Sequence, residues 1–488
     1  MLIRIEINNI QGVIIMKKMI QMMLMTLSLL IFWVNTTHAT INGLTISTAV
    51  EMAIANNNEL QMAKEDVRIA EQNYREVRGQ LFPQINLNAS YKLTNNQLPK
   101  SAMPNFTLSG ALDDPSENES MIAGMLDRML PSSRDREEVS FAGQLSLSQP
   151  LFLGGKLMDG LRVLDKVKIL QEKRYELEMQ NTIITVVNAY YDLYLAEEGL
   201  SIQRQALSNA ELHLQRVTNL FSQGLVSEYD KLRAELEVSR LHPEVLHYEN
   251  LKNLAEENFR RITGITEEFH LNPVIYENST AFANFEVALD EAISSAGDKR
   301  LELFLVGIST EIYQVQYSAE QKNFMPNILL QADVTRYAQR TDSFNISGND
   351  FGTMGSVGLV FQMPLFTGMS NTAKRIGAKH ELRRAEYESM NTTELINLEV
   401  RQTWQSFDQS KRVLEVQEMN LNLAERALNI AQSRFENQAG IQLEVFDAQI
   451  QYNAAQIALA QARIGIIKDY FALNKALGNN LNNIIGEL

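Results

Sequence analysis

Val139-Ser-Phe-Ala-Gly-Gln-Leu-Ser-Leu-Ser-Gln-Pro-Leu-Phe-Leu-Gly154 alternates apolar and polar residues, then breaks at a Pro-Leu-Phe-x-Gly turn. Val139, Phe141, Leu145 and Leu147 point one way, and Ser140, Gln144, Ser146 and Ser148 the other. Period two is the mark of a strand with two unlike faces. The stretch then returns. Pro364-Leu365-Phe366-Thr367-Gly368 stands 214 residues later (364 − 150), after Val357, Leu359 and Phe361 alternating with Ser356, Gly358 and Gln362. Leu81-Phe82-Pro83-Gln84-Ile85 returns as Phe324-Met325-Pro326-Asn327-Ile328, 243 residues on (326 − 83). The 29-residue difference (243 − 214) is an insertion in the first copy, between Pro83 and Pro150. A unit of this length is too long for a solenoid repeat and implies two pseudo-equivalent halves of one architecture.

Each proline pair brackets a pair of strands. In the first, Ile85, Leu87, Ala89, Tyr91 and Leu93 oppose Gln84, Asn86, Asn88, Ser90 and Lys92. In the third, Ile328, Leu330, Ala332 and Val334 oppose Asn327, Gln331, Asp333 and Thr335. Each segment runs about 10 residues, the length with which a tilted strand crosses a bilayer. Apolar outside and polar inside is the outer-membrane barrel pattern. A half-buried soluble sheet gives the same alternation, so export has to decide between them.

Residues 1–39 read as an export signal. Met16-Lys17-Lys18 is charged, Met19 to Val34 is apolar, and Thr37-His38-Ala39 fits the small-residue cleavage rule. Cleavage after Ala39 makes Thr40 the mature start, and residues 1–15 are expected to be an extension upstream of a true start at Met16. Beyond this region no run of about 20 apolar residues exists. The chain of 488 residues has no Cys, which excludes disulfides, thiolate metal sites and a lipidated Cys. The net charge is −15, and −17 (−15 − 2) without residues 1–39, which disfavours nucleic acid as a partner. His38, His213, His242, His247, His270 and His380 show no metal-ligand spacing, and no phosphate loop or nucleophile elbow is present. No cofactor, metal or catalytic residue is expected.

Long helices are predicted between and after the strands. Gly155 to Phe221 contains no Pro and would span about 100 Å as one helix. Within it Ile184, Val187, Tyr191 and Tyr194 recur at helical spacing. Val445, Ala448, Tyr452, Ala455, Leu459, Ala462 and Ile466 keep heptad spacing, as in a coiled coil. The first-half counterpart reads Ala234, Val238, Leu241, Val245 and Tyr248, with a kink expected at Pro243. Phe221-Ser-Gln-Gly-Leu-Val-Ser227 and Phe435-Glu-Asn-Gln-Ala-Gly-Ile441 read as the turns of two antiparallel hairpins. Shorter helices are expected at about 46–80 and 286–322. Residues 94–138 and 338–355 read as loops. The first carries Met121, Met125 and Met129 at helical spacing, more in keeping with a small amphipathic plug or packed loop than a metal site.

On these residues the chain resembles the TolC family of outer-membrane channel proteins. The resemblance rests on both Pro-Leu-Phe-x-Gly turns (Pro150 to Gly154, Pro364 to Gly368), the hairpin pattern Phe221-x-x-Gly224 with Asp230 and Ala234, Glu444-Val445-Phe446-Asp447-Ala448, and Lys475-Ala476-Leu477-Gly478. It implies an α+β membrane protein. Each chain would give four strands to a trimeric 12-stranded barrel, continued by a periplasmic α-helical coiled-coil barrel. The halves would be 40–275 (strands about 83–93 and 139–149, hairpin about 155–263) and 276–488 (strands about 327–337 and 355–363, hairpin about 369–478). The implied function is a passive duct of a tripartite efflux or type I secretion system. Implied partners are a periplasmic adaptor, an inner-membrane pump of the RND or ABC type, and outer-membrane lipid. The family's acidic periplasmic gate maps to Asp230, Glu444 and Asp447, and adaptor contact to Gly224, Leu225, Val226, Ser227, Gln438, Ala439 and Ile441. The Arg and Tyr that lock the tip in some members are here Gly440 and Phe435, so that lock cannot form. Gln438 replaces a usual Gly, leaving Gly440 as the candidate for the tight turn. The competing reading is a periplasmic coiled-coil adaptor or structural protein with no barrel.

Overall fold

The structure is a computed structural model and describes residues 41–96, 108, 112, 114–129, 136–272, 282, 285–341, 346–437 and 439–486. The proposed cleavage site at Ala39, and Gln438, lie outside them. Chain order is β1 (Ile41–Leu44), α1 (Ile46–Asn56), α2 (Asn58–Gly79), β2 (Gln84–Asn96), α3 (Glu117–Met129), β3 (Arg136–Leu153), α4 (Lys156–Ser222) and α5 (Glu228–Thr263). Then come β4 (Phe269–Leu271), α6 (Leu289–Lys299), α7 (Leu301–Gln321), β5 (Asn327–Thr341), β6 (Phe351–Gln362), α8 (Ser370–Glu436), α9 (Gln442–Ala476) and α10 (Leu481–Gly486). Helices α4 and α8 both have 67 residues, and α5 and α9 have 36 and 35. Among the described residues no helix is long and apolar enough to cross a membrane.

The chain forms two compact units, neither of which is a sequence half. One comprises Glu65–Lys173 and Leu303–Thr392. It holds an antiparallel sheet in the order β2-β3-β5-β6. Opposed residues in a sheet share a face, so the register shows what each face carries. Ile85, Leu147, Ala332 and Val357 form one row of the apolar face, and Leu87, Leu145, Val334 and Gly355 the next. On the other face Asn86, Ser146, Asp333 and Ser356 line up, and the Ser356 hydroxyl donates to Asp333 Oδ1 at 2.5 Å. The apolar face is bare in the single chain: Leu87 is 74% exposed and Val357 78%.

Strand β3 passes the expected end near 149. Pro150 has no N–H for the ladder, and a bulge between Pro150 and Phe152 absorbs the defect, so pairing resumes with Phe152 opposite Ile328. The strand-to-helix turns then use left-handed backbone: Gly154 (φ 64°) and Gly155 (φ 80°) in one copy, Gly368 (φ 58°) and Met369 (φ 67°) in the other. Gly154 is also needed for space, because a Cβ there would stand 2.7 Å from Met325 Cβ. Behind the turns Leu170 of α4 packs on Ile308 and Ile312 of α7. The side chain of Asp159, almost fully buried, accepts from Lys322 Nζ at 2.5 Å and Arg162 Nη1 at 3.1 Å.

The second unit comprises the chain to Lys64, Arg174–Glu302 and Thr393–Leu488. Tyr190, Tyr191, Phe259, Leu193, Ile466, Ile467 and Phe471 are among its largest buried side chains. The Tyr190 hydroxyl donates to the Leu44 carbonyl at 2.9 Å, tying α4 to the parallel pair β1–β4. The stripe of Val187 and Tyr191 is widened by Ile183, Val186, Tyr190 and Leu193, so α4 buries two adjacent faces. Helix α5 continues through Pro243, which sits exposed inside it.

Candidate functional site: the two hairpin tips

Both tips belong to the second unit. The first closes as a Schellman motif: Gly224 N–H donates to Phe221 O at 2.9 Å and Leu225 N–H to Leu220 O at 3.0 Å. That motif needs a left-handed residue, and Gly224 supplies it with φ 74°. Ser227 then caps α5. Its hydroxyl accepts from Asp230 N–H at 3.2 Å, and Asp230 Oδ2 accepts from Ser227 N–H at 3.1 Å and from its hydroxyl at 2.6 Å. Asp230 is therefore a capping-box carboxylate at a helix N-terminus, satisfying donors that the helix leaves open.

The second tip solves the same problem differently. Ile441 occupies the cap position and has no side-chain cap bond. Ala439 N–H donates to Arg434 O at 2.8 Å, and the Arg434 guanidinium donates back to Ala439 O at 3.2 Å. Arg434 Nη1 also lies 3.4 Å from Glu444 Oε2. Glu444 and Asp230 are equivalent positions 214 residues apart (444 − 230), yet one pairs with a cation and the other caps its own helix. Asp447, one turn on, is exposed. Gly440 does not take over the tight turn. It has no left-handed φ, and it is needed for closeness instead: a Cβ there would meet Arg434 Cβ at 3.0 Å and Glu444 Oε2 at 3.1 Å.

Between the tips lies a groove of about 1190 Å³, lined by Gly224, Leu225, Val226, Ser227, Asp230, Phe435, Gly440 and Ile441. It thus brings together most of the tip residues singled out from sequence, but of the three acids only Asp230 lines it, and Glu444 and Asp447 do not. Phe446 and Val226, which line it, belong to a buried cluster with Val217 and Ala234, against which Leu214 also packs. Leu225 and Ile441 stay 58% and 60% exposed at the rim. Arg216 and Glu436 reach across it at 3.7 Å, an exposed pair that contributes little.

Sequence reasoning missed two groove residues. His213 lies between Phe435 and Phe446, with ring centroids at 5.5 and 5.2 Å. Burial lowers its pKa below 6.5, the charge of Arg216 adds to this, and its Nε2 has no hydrogen-bond partner. Gln442 is 4% exposed, and both carboxamide atoms lack a partner. No spacing rule flags either residue, since each is made unusual by burial against the opposite hairpin. Among the described residues no cluster of His, Asp and Glu could hold a metal ion.

Two strand pairs alternating with two very long helical hairpins, closed by tips of this kind, define a class of envelope channel proteins. The chain belongs to the outer membrane efflux protein family, whose signature matches residues 49–265 and 294–479. It is 23% identical over 444 residues to the outer membrane protein TolC of Salmonella enteritidis, covering 88% of this chain and 80% of that one. It is 19% identical over 339 residues to the alkaline protease secretion protein AprF of Pseudomonas aeruginosa, covering 67% and 68%. Its fold is shared with the solved outer membrane channel MtrE of Neisseria gonorrhoeae, at TM-score 0.67 and 17% identity over 89% of each chain. CusC matches with TM-score 0.70 and 16% identity, over 89% of this chain and 92% of that one. The protein is an outer-membrane protein of a Gram-negative cell with a channel role.

Proposed function

We propose that the chain is one third of a trimeric channel-tunnel, the passive outer-membrane duct of a tripartite efflux or secretion system. The observation that carries this is the sheet. Among the described residues its edge strands β2 and β6 have no further strand beside them, and one face is apolar and exposed. Open edges do not occur in lipid, so four strands have to be completed by other copies. Three copies give 12 strands, enough for a barrel wider than the side-chain-filled eight-stranded kind. The height fits as well. Phe152, Ile328 and Phe361 mark one end of the apolar face, and Tyr91, Phe141, Ala338 and Phe351 the other. Ile328 and Ala338 are ten residues apart (338 − 328). That is about 33 Å along a strand, or about 25 Å along the membrane normal at barrel tilt, the height of an aromatic-bounded apolar band.

In this reading residues 1–39 are the export signal, and 40–275 and 276–488 are two repeats. The helices form a periplasmic coiled-coil barrel, and the tips meet an adaptor that is loaded by an inner-membrane pump. The gate is acidic, with three copies each of Asp230, Glu444 and Asp447 near one axis, where crowded carboxylates repel one another and attract cations. Arg434 tempers Glu444, and this is the contact that offsets repulsion where an Arg–Tyr lock is missing. The exposed apolar rim (Leu225, Ile441) and the unpartnered Gln442 carboxamide suit the groove to an adaptor segment that carries both apolar and hydrogen-bonding groups.

Extraction from outer membranes in mild detergent, followed by mass measurement and planar-bilayer recording, tests the channel. A trimer with a small, cation-sensitive conductance is expected. A water-soluble monomer without conductance would return the chain to the adaptor or structural class. Gly224→Trp tests the docking tip. It is expected to abolish export while trimers still assemble, and normal export would remove the first tip from the adaptor contact.

A further inference from the structure

We infer that the loop end of the sheet's apolar face binds the phosphate of an outer-leaflet glycolipid, with Arg336 as the contacting residue. This rests on the barrel reading above. On that face β2 contributes Ile85 to Leu93, β3 Val139 to Gln149, β5 Ile328 to Arg340 and β6 Phe351 to Phe361, counting every second residue. Within these bounds the only charged residues are Arg336 and Arg340, both beside the loops.

A cation facing lipid is costly near the bilayer midplane and tolerable near the interface. Arg336 shows how it escapes. Its Cζ lies 4.9 Å from the centroid of the Phe351 ring. Phe351 pairs with Ala338, two residues nearer the loops than Arg336 itself. The guanidinium therefore packs on a ring of the aromatic row that bounds the apolar band, with its own row about 5 Å inside that boundary, within reach of the headgroup level for a long amphipathic side chain. Phe351 meets Phe141 edge-on at 5.7 Å, so the guanidinium is braced by an aromatic pair.

What awaits it there is an anion from outside the chain. Arg340 already has a carboxylate, Asp350 Oδ2 at 3.4 Å. Among the described residues no ion pair reaches Arg336, and its register partners are Gly143, which has no side chain, and Thr353, which adds a hydroxyl. The Phe141 ring covers Gly143, 3.3 Å from where a Cβ would stand, so one side of Arg336 is aromatic and the other carries a hydroxyl. An unneutralised guanidinium in that setting at the edge of the apolar band suits a phosphate held bidentately. The chain leaves the sheet for the long helices at the opposite end, after Gly154 and Gly368. With those helices periplasmic, the Arg336 end faces the outer leaflet, whose phosphates are carried by the glycolipid.

Native mass spectrometry of the detergent-solubilised trimer, incubated with diphosphoryl lipid A or its dephosphorylated form, tests this. Wild type is expected to retain the phosphorylated lipid preferentially. Arg336→Gln should lower that retention about tenfold, the effect of losing a charge-assisted hydrogen bond, while trimer mass and conductance stay unchanged. Equal retention of both lipids by wild type, or an unaltered preference in Arg336→Gln, overturns the assignment. So does complete displacement of lipid A by millimolar inorganic phosphate, which would make this a free-phosphate site. Loss of trimer and conductance in wild type itself would instead reject the barrel, and this inference with it.

Discussion

Asp230 and Glu444 show how one inherited position acquires two functions. Both begin a helix as acids, and the helix dipole favours an acid there in either case. Ser227 precedes Asp230 by three residues and completes a capping box; Ile441, at the same distance from Glu444, cannot. Asp230→Ala should therefore destabilise the first tip by about 1 kcal/mol, the usual loss for a cap. Glu444→Ala, which loses only an exposed ion pair, should have a smaller effect. Thermal denaturation of the two variants side by side checks the order. His213 makes the tip pH-sensitive. Burial holds its pKa below 6.5, and Arg216 lowers it further. As pH falls through 6.5, the unfolded chain takes up a proton that the folded tip refuses, so stability is full above that pH and declines below it, toward the folded pKa. The acids at the same groove are Asp230, Glu237 and Glu436; Glu237 is paired with Arg240 and Glu436 with Arg216. His213→Phe should shrink the drop in melting temperature between about pH 7.5 and 5.5; an unchanged drop assigns the sensitivity to another group.

At the scale of elements, the helix pairs depend on close approaches that periodicity does not reveal. Gly199, an interior glycine of α4, looks like a helix weakness in sequence, and Ala there should add about 1 kcal/mol by propensity alone. The ring of Tyr248 on α5 occupies the space: a Cβ at Gly199 would lie 2.7 Å from Tyr248 Cδ1. Overpacking of this kind costs about 1–3 kcal/mol, so Gly199→Ala is expected to destabilise the hairpin. Gly199→Ala combined with Tyr248→Leu should recover the propensity gain, and denaturant unfolding of single and double variants measures both. Heptad positions Val445, Leu459, Ala462 and Ile466 are buried as their spacing implies. Ile183, Val186 and Tyr190 are buried as well because α4 meets neighbours on two sides, and a single-stripe pattern describes only one of them.

At the scale of the molecule, the proposed gate would belong to the assembly. If the proposed gate is formed by these acids, Glu444→Gln with Asp447→Asn should raise single-channel conductance and weaken cation block, because both changes would remove charge from a narrow passage. Unchanged conductance and block would take these residues out of the gate. Sequence by itself determined the elements: period-two alternation gives strands, proline-free stretches give 67-residue helices, and a duplication of more than 200 residues gives the matched pairs. These are local or self-referential signals, legible wherever neighbours along the chain cooperate. The candidate tip residues were also legible, because family-like motifs carry them. Only the tertiary structure decided which acid caps and which pairs, that Gly440 serves closeness and not turning, and that His213 and Gln442 are buried without partners. It also decided that Arg336, on an apolar face, packs its guanidinium on the Phe351 ring. Each of these depends on residues tens to hundreds of positions apart or on rotamers, and packing fixes them only when distant segments meet.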